Sequence, residues 1–209
     1  MELQLHMRIN EGLFLRNPEG SELGKKIIKH CIQMIYKNGF EAFNFKKLAE
    51  DIGTTEASVY RYFENKHKLL IYLTSWYWGW VEFQISFHTN NIIDPILKLK
   101  KVIKLLATTV EDDTQTSHVN ESLLHQIVIA EGSKAYLTKQ VAEDNKQHFF
   151  KPYKDLFDVI GKLYWNVILN TNTQSHWLLP LSKWRIFKTF LCTTSPLLPT
   201  SKKLKRRLK

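Results

Sequence analysis

The sequence holds only two cysteines, Cys31 and Cys192, among 209 residues. They have no paired spacing, which excludes a thiolate zinc site, a dithiol redox centre and a disulfide framework. Cys31 falls on an apolar helical face, where a thiol behaves as a buried, inert hydrophobe. Long apolar runs are missing as well. The most apolar stretch, LLIYLTSWYWGWV at 69–81, is too short for a bilayer crossing, which takes about 20 residues. At the start of the chain, MELQLHMRINEGLFLRNPEG carries Glu2 and Arg8 where a signal peptide needs an apolar core. These absences imply a reducing, cytoplasmic compartment and no membrane partner. No Ser-His-Asp or Cys-His set is discernible, and Asp112 and Asp113 sit in a polar loop as solvated charge. Catalysis is therefore not expected. His118, Glu121 and His125 share at most one helical face and lack a further ligand, so no metal and no other cofactor is expected. Strand-like alternation and internal repeats are absent too.

What is present is an ordinary globular composition, 44% apolar and 24% charged, on a chain long enough to bury a sizeable core. The formal charge of +10 points to an anionic partner, but it is unevenly placed. Lys202, Lys203, Lys205, Arg206, Arg207 and Lys209 supply +6 with no acid among them. Residues 21–68 hold nine Lys/Arg against six Asp/Glu, a difference of only +3. The basic balance is mostly a property of the tail.

Helical periodicity runs through most of the chain. Residues 1–20 read as a flexible leader ending in the turn-rich Asn17-Pro18-Glu19-Gly20. Ser21 can cap a helix whose stripe is Ile28, Cys31, Ile32 and Ile35, ended by Asn38-Gly39. A short helix follows Asn44, with Phe45, Leu48, Ala49 and Ile52 inward, and Gly53 breaks it. Thr55 caps a third helix to about Phe63, and Asn65 caps a longer one carrying Leu69, Leu70, Leu73, Trp76 and Trp80. Asp94-Pro95 opens a helix with the stripe Ile96, Leu99, Ile103 and Leu106. Residues 111–118 read as a loop. Asn120 opens a helix to about Leu137, interrupted near Gly132-Ser133, and another from about Thr138 restarts at Pro152. It continues through Leu156, Ile160, Leu163 and Val167 to the turn-rich 170–175. The last expected helix spans about 181–192, with Trp184, Phe187 and Leu191 as its stripe, before a non-helical basic tail at 193–209. The fold class is all-α.

The third helix carries more polar rings than packing requires. Val59 and Phe63, four apart, form its inward face, whereas Ala57, Tyr60 and Arg61 project together on another. Two short helices joined by a glycine turn, the second leading with a small residue and then polar tips, make a helix-turn-helix arrangement. One helix fits the B-DNA major groove, which is about 12 Å wide. Ala57 keeps the leading end narrow, and a phenol and a guanidinium can reach phosphates or base edges.

Residues 21–70 resemble the DNA-binding domain of the TetR family of transcriptional regulators. The resemblance rests on an amphipathic helix, the step Gly39-Phe40, the pair Leu48-Ala49 and Gly53-Thr54-Thr55. It closes with Ser58-Val59-Tyr60-Arg61-Tyr62-Phe63, then Asn65-Lys66 before Leu69-Leu70. It implies a homodimer that places the third helix of each subunit in successive major grooves of a palindromic double-stranded operator. By position, Lys46 would meet backbone or a base. Thr55, Glu56, Ala57, Tyr60 and Arg61 would present the reading face, and Tyr62 and Lys66 would meet phosphates. Glu56 departs from the family, where this position is often basic. The same resemblance makes 21–68 the DNA-binding domain and 69–192 an effector-binding and dimerisation domain. Its expected pocket is lined by Trp80, Phe83, Phe150, Tyr153 and Phe157 and takes an apolar or aromatic small molecule. The function implied is a repressor released by that effector.

The chain ending departs from the family, because Pro196 and Pro199 forbid the long final helix. Two readings remain open for KKLKRRLK: a basic arm adding nonspecific DNA affinity, or the product of a shifted reading frame. Two other functions also stay open. One is a helical protein-interaction module whose helix-turn-helix is scaffold, the other an RNA-binding protein that uses the tail.

Overall fold

The computed structural model describes residues 7–107 and 118–170, with side chains through Val167. The first six residues, most of the polar loop with Asp112 and Asp113, the expected helix at 181–192 and the basic tail lie outside the described residues. Among those described there are eight α-helices and no strand. They are α1 Glu22–Ala42, α2 Phe45–Ile52, α3 Glu56–Tyr60, α4 Lys66–Thr89, α5 Pro95–Ala107, α6 Glu121–Tyr136, α7 Val141–Lys146 and α8 Lys151–Asn170.

Local chemistry sets most of the starts. The side chains of Ser21, Asn44, Thr55, Asn65 and Asn120 each accept from a backbone N–H in the first turn of the helix they precede, as a capping residue should. Asp94 does the same for Ile96 at 2.8 Å, ahead of Pro95. Gly39, with φ 78°, breaks α1 before its last turn, so the helical stretch ends where the glycine stands. On α1, Ile27, Ile28, Cys31, Ile32 and Ile35 are all buried. Burial pushes the Cys31 thiol up, which leaves it inert as a nucleophile.

α4 is the axis of the molecule. Every residue from Leu69 to Tyr77 is buried, because α5, α6 and α8 all pack on this helix and no side of this stretch faces water. The inward stripe read from the sequence is therefore only part of its buried surface. Polar ties run outward from it. Ser75 Oγ donates to Phe149 O at 3.0 Å, Trp78 Nε1 donates to Tyr136 Oη at 2.9 Å, and His67 lies 3.4 Å from Asp144. α6 meets α1 as well, where Glu131 accepts from the Phe40 N–H at 3.1 Å.

Four expectations need correction. α6 runs through Gly132 without interruption; its hydrogen bonding tolerates one glycine at a cost of about 1 kcal/mol. α3 ends formally at Tyr60 rather than near Phe63, although Arg61 stays helical and the Tyr62 N–H tightens back to Val59 O at 2.9 Å. On α5 the buried residue is Val102, and Ile103 and Leu106 of the expected inward stripe are exposed. The restart at Pro152 does occur, with the proline in the first turn of α8 where no helical donor is missed.

The fourth correction concerns the leader. Residues 7–20 are packed, not flexible. Leu13 is buried in the same core as α1 and α4. Asn10 and Asn17 cap two 3-10 turns, Glu11–Leu13 and Pro18–Gly20. Leu15 N–H donates to Tyr62 O at 2.8 Å, and Asn10 Nδ2 donates to Gln147 O at 2.8 Å. Glu19 is the deepest polar anchor. Its Oε1 accepts from the Tyr72 hydroxyl at 3.2 Å, and its Oε2 lies 2.7 Å from His118 Nε2, close in distance but poorly directed as a hydrogen bond. Burial works to raise the Glu19 carboxyl, and His118, Tyr72 and Trp76 outweigh it, leaving it below the ordinary glutamate range.

Leu13→Ala should lower the unfolding free energy by about 2–3 kcal/mol, measured by urea denaturation; a change near zero would mean that the leader contributes nothing to the core. A depressed carboxyl stabilises the fold above the ordinary glutamate pKa and loses that contribution as pH falls through its folded value. The gap in stability between wild type and Glu19→Gln should accordingly be widest at about pH 7 and close towards about pH 3. A gap that grows on acidification would reverse this account of the anchor.

Candidate nucleic-acid interface

The segment from Asn44 to Phe63 is built around one tight turn. Gly53 takes the left-handed conformation at the end of α2 (φ 68°, ψ 39°), and Thr54 N–H closes onto Ala49 O at 2.9 Å. Ala49 is small and buried, which lets the two short helices lie close. Thr55 Oγ1 accepts from Ser58 N–H at 3.3 Å and shares a hydrogen bond with Ser58 Oγ at 2.8 Å. From there α3 turns Val59 inward at 0% exposure, followed by Phe63, also at 0%.

The opposite side of α3 is open. Lys46, Thr55, Glu56, Ala57, Tyr60 and Arg61 are all exposed. Tyr60, 46% exposed, leans the edge of its ring on Phe45 at 5.0 Å between centroids and 71° between planes. Packing therefore fixes the ring while its hydroxyl makes no hydrogen bond among the described residues. Lys46 and Arg61 have no ion-pair partner among the described residues either. These three tips form a donor-rich surface beside a narrow alanine. Glu56 brings one carboxylate to the leading end, where it suits the partial positive charge of a helix start and can accept from a base amine.

Three of the residues expected to touch DNA are placed differently. Tyr62 is buried at 2% exposure, with its hydroxyl 2.8 Å from Ser21 Oγ and the Arg16 guanidinium over its ring at 5.4 Å. It follows Arg61 around the helix into the core, so a phosphate contact does not fit its position. Lys66 points its ammonium at the carbonyls of Phe40, Glu41 and Phe43, at 3.3–3.4 Å, and over the Phe40 ring at 4.8 Å. That charge is engaged with the end of α1, whose last carbonyls lack helical donors. Thr55 is exposed, but its hydroxyl is committed to the cap. The sequence reading also missed the leader as a neighbour of this segment. Asn10 and Asn17, each opening a glycine-containing turn, were the available signal.

Among the described residues, the rings expected to line an effector pocket pack largely on one another. Tyr153 packs on Trp78 at 5.3 Å, on Tyr136 at 5.8 Å and on Phe157 at 4.6 Å, and Phe150 meets Tyr136 at 5.1 Å. Trp80 is buried beside Tyr77 at 6.2 Å. These rings fill the core between α4, α6 and α8 by touching one another. Phe83 borders a groove of about 530 Å³ between residues 7–10, α4 and the start of α8. His118 and His125 do not converge on a shared site. The first faces Glu19, and the second sits 2.7 Å from the Tyr77 hydroxyl, which burial pushes up to about 12.

Residues 27–73, from α1 into the first part of α4, match the family described as bacterial regulatory proteins of the tetR family. Among solved structures, the chain is similar to AibR in complex with isovaleryl coenzyme A and operator DNA. The identity is 17% and the TM-score 0.51, over 72% of this chain and 75% of that one. At that identity the likeness is one of fold. No curated protein matches the chain.

Arg61 and Lys66 separate recognition from architecture. Arg61→Ala should leave stability within about 0.5 kcal/mol while weakening DNA binding. Lys66→Met should lower stability by about 1–3 kcal/mol, because three carbonyls lose their donor. Thermal unfolding and fluorescence anisotropy on the same two variants check this; the reverse pattern would mean that the outward and inward assignments are exchanged.

Proposed function

We propose, for a chain that belongs to the tetR family of bacterial regulatory proteins through its residues 27–73, that it is a repressor that binds a palindromic operator as a homodimer and is released by a small molecule. The observation that carries this reading is the outward face of α3. A helix whose back is fully buried presents Tyr60, Arg61 and Ala57 to solvent, and Lys46 of α2 is exposed as well. A surface of this kind suits a major groove, where one helix must read base edges between phosphate contacts. AibR, similar in fold, is described in complex with isovaleryl coenzyme A and operator DNA, which supports the operator and effector parts of this reading. The activity is binding in the cytoplasm, with no catalytic step.

Few cations remain free on the face. With Lys66 engaged by α1, and Lys47 donating to Ala42 O at 3.1 Å, each subunit keeps a short list of phosphate contacts. Each neutralised phosphate contributes roughly 0.9 to the slope of log affinity against log salt, so the expected slope is shallow. The same scarcity of charge favours the alternative of a helical protein-interaction module, in which the face would meet a protein. Selection from random DNA with the purified chain separates the two. Enrichment of a palindrome is expected, with Tyr60→Ala and Arg61→Ala each costing about 1–3 kcal/mol and relaxing one position of each half-site. No enrichment would leave the interaction module standing.

A further inference from the structure

The groove between the leader, α4 and the start of α8 has a chemistry of its own. Met7 and Ile9 form one side of it, Glu82 and Phe83 another, and Lys151 and Asp155 close the third. Met7 lies against α4 at Gly79, where a Cβ would stand in ordinary contact, 3.6 Å from the Met7 Sδ. Lys151 is paired with Asp155 one turn along α8. Glu82 has no ion-pair or hydrogen-bond partner among the described residues. Burial and then the neighbouring Asp155 carboxylate hold its carboxyl above the ordinary range, with Lys151 opposing. Next to it Phe83 is 37% exposed and stacks on Phe87, itself 68% exposed, at 6.0 Å and 22°. Arg8 and His148, the remaining basic side chains of the lining, are both exposed to solvent.

We propose that this groove binds a small organic cation with an apolar body, an amine or quaternary ammonium, with Glu82 as counter-ion and the Phe83 ring against its charge. An unpaired carboxylate disfavoured by a second carboxylate gains most from a positive guest, and an exposed ring face attracts the same charge. The volume suits a molecule of ordinary metabolite size, and apolar walls with a few placed charges are the usual make-up of such sites.

The leader gives the groove a route to the DNA face, and this half of the inference rests on the regulator reading. Asn10 borders the groove; five positions on, the Leu15 N–H holds Tyr62 O at 2.8 Å. The Arg16 guanidinium lies over the Tyr62 ring, and Ser21 Oγ meets the Tyr62 hydroxyl. Tyr62 adjoins Arg61 directly. A guest that tightens or lifts residues 7–10 therefore acts on the segment that sets the end of α3, and DNA must act back on the guest to the same extent. Gly24 locks the strap from below, because a Cβ there would lie 2.2 Å from the Pro18 carbonyl oxygen.

The test titrates the full chain calorimetrically with benzyltrimethylammonium and phenethylammonium, and with phenylacetate as the opposite-charge control. Both cations should bind and phenylacetate should not. Glu82→Gln should weaken the cations about tenfold and Phe83→Ala roughly threefold or more. Binding that ignores Glu82→Gln, or that phenylacetate matches, overturns the ligand class. Affinity for the DNA fragment selected above is then measured with and without saturating cation. A shift is expected in the wild type, reduced in Arg16→Ala and in Gly24→Ala; should the glycine variant fail to fold, Arg16→Ala decides alone. No shift in the wild type overturns the coupling and leaves the groove. Glu82-dependent cation binding by a protein that selects no DNA would sink the regulator reading and spare the groove.

Discussion

Isolated helices shorter than about 12 residues are marginal in water even with good formers, and α3 has five. Its shape is imposed from behind. Val59 and Phe63 are fully buried, Tyr62 nearly so, and the Tyr60 ring rests on Phe45 of α2. Burying large side chains of this kind contributes about 1.5–3 kcal/mol each, enough for tertiary contact to hold a segment that propensity alone would not. The exposed tips inherit their positions from that anchoring. Any change that loosens the back of α3 is therefore a change in recognition, even when no exposed residue is touched.

The same constraint explains why two residues expected on the DNA face are turned inward. α1 breaks at Gly39 and delivers the carbonyls of Phe40, Glu41 and Phe43 to the start of α4. Those acceptors need a donor, and an ammonium at the first position of α4 supplies it while covering the Phe40 ring. Tyr62 follows a similar logic: its ring fills the space between leader and α1, and its hydroxyl finds Ser21. Both side chains are engaged within the subunit. The electrostatic cost falls on affinity for DNA, since charge that neutralises carbonyls is no longer free for phosphates.

How much of this was legible in the sequence depends on the range of the interaction. Caps and breakers act within a turn, so Ser21, Asn44, Gly53, Thr55, Asn65, Asn120 and Asp94-Pro95 announced their helices correctly. The outward placement of Tyr60 and Arg61 followed from spacing to Val59 and Phe63, which are local too. Lys66 and Tyr62 could not be read, because their side-chain partners are 23 to 46 positions away and a long side chain at a helix edge can turn either way. α4 was read as one-sided because a periodicity argument assumes a solvent face, and its central stretch has none. The aromatic residues of α8 look the same in sequence whether they line a cavity or fill it; here they touch. The leader failed for another reason: a single buried leucine between two asparagine-capped turns leaves almost no periodic signal.

Two of the ties that link the leader and α1 to the later helices differ in kind. At the far end of α1, Glu131 of α6 accepts from the Phe40 N–H and pairs with Lys134, which in turn reaches Glu41 at 3.1 Å. Partial burial raises the Glu131 carboxyl; Lys134 and the Phe40 N–H outweigh that and hold it low. At the near end, Glu19 ties the leader to Tyr72 and His118. The first joint grips α1 just beyond its break at Gly39, and the second grips the chain just before α1 begins. The unbroken part of α1 lies between the two joints. Because Glu19 and Leu15 belong to the same strap and Leu15 holds Tyr62, yielding at the near end shifts the back of α3 directly. Yielding at the far end must act through Phe43, Phe45 and α2 first. The segment that precedes the first helix is thus one mechanical route from α6 to α3, beside the direct one in which Tyr72 of α4 packs its ring on Phe63 at 5.3 Å.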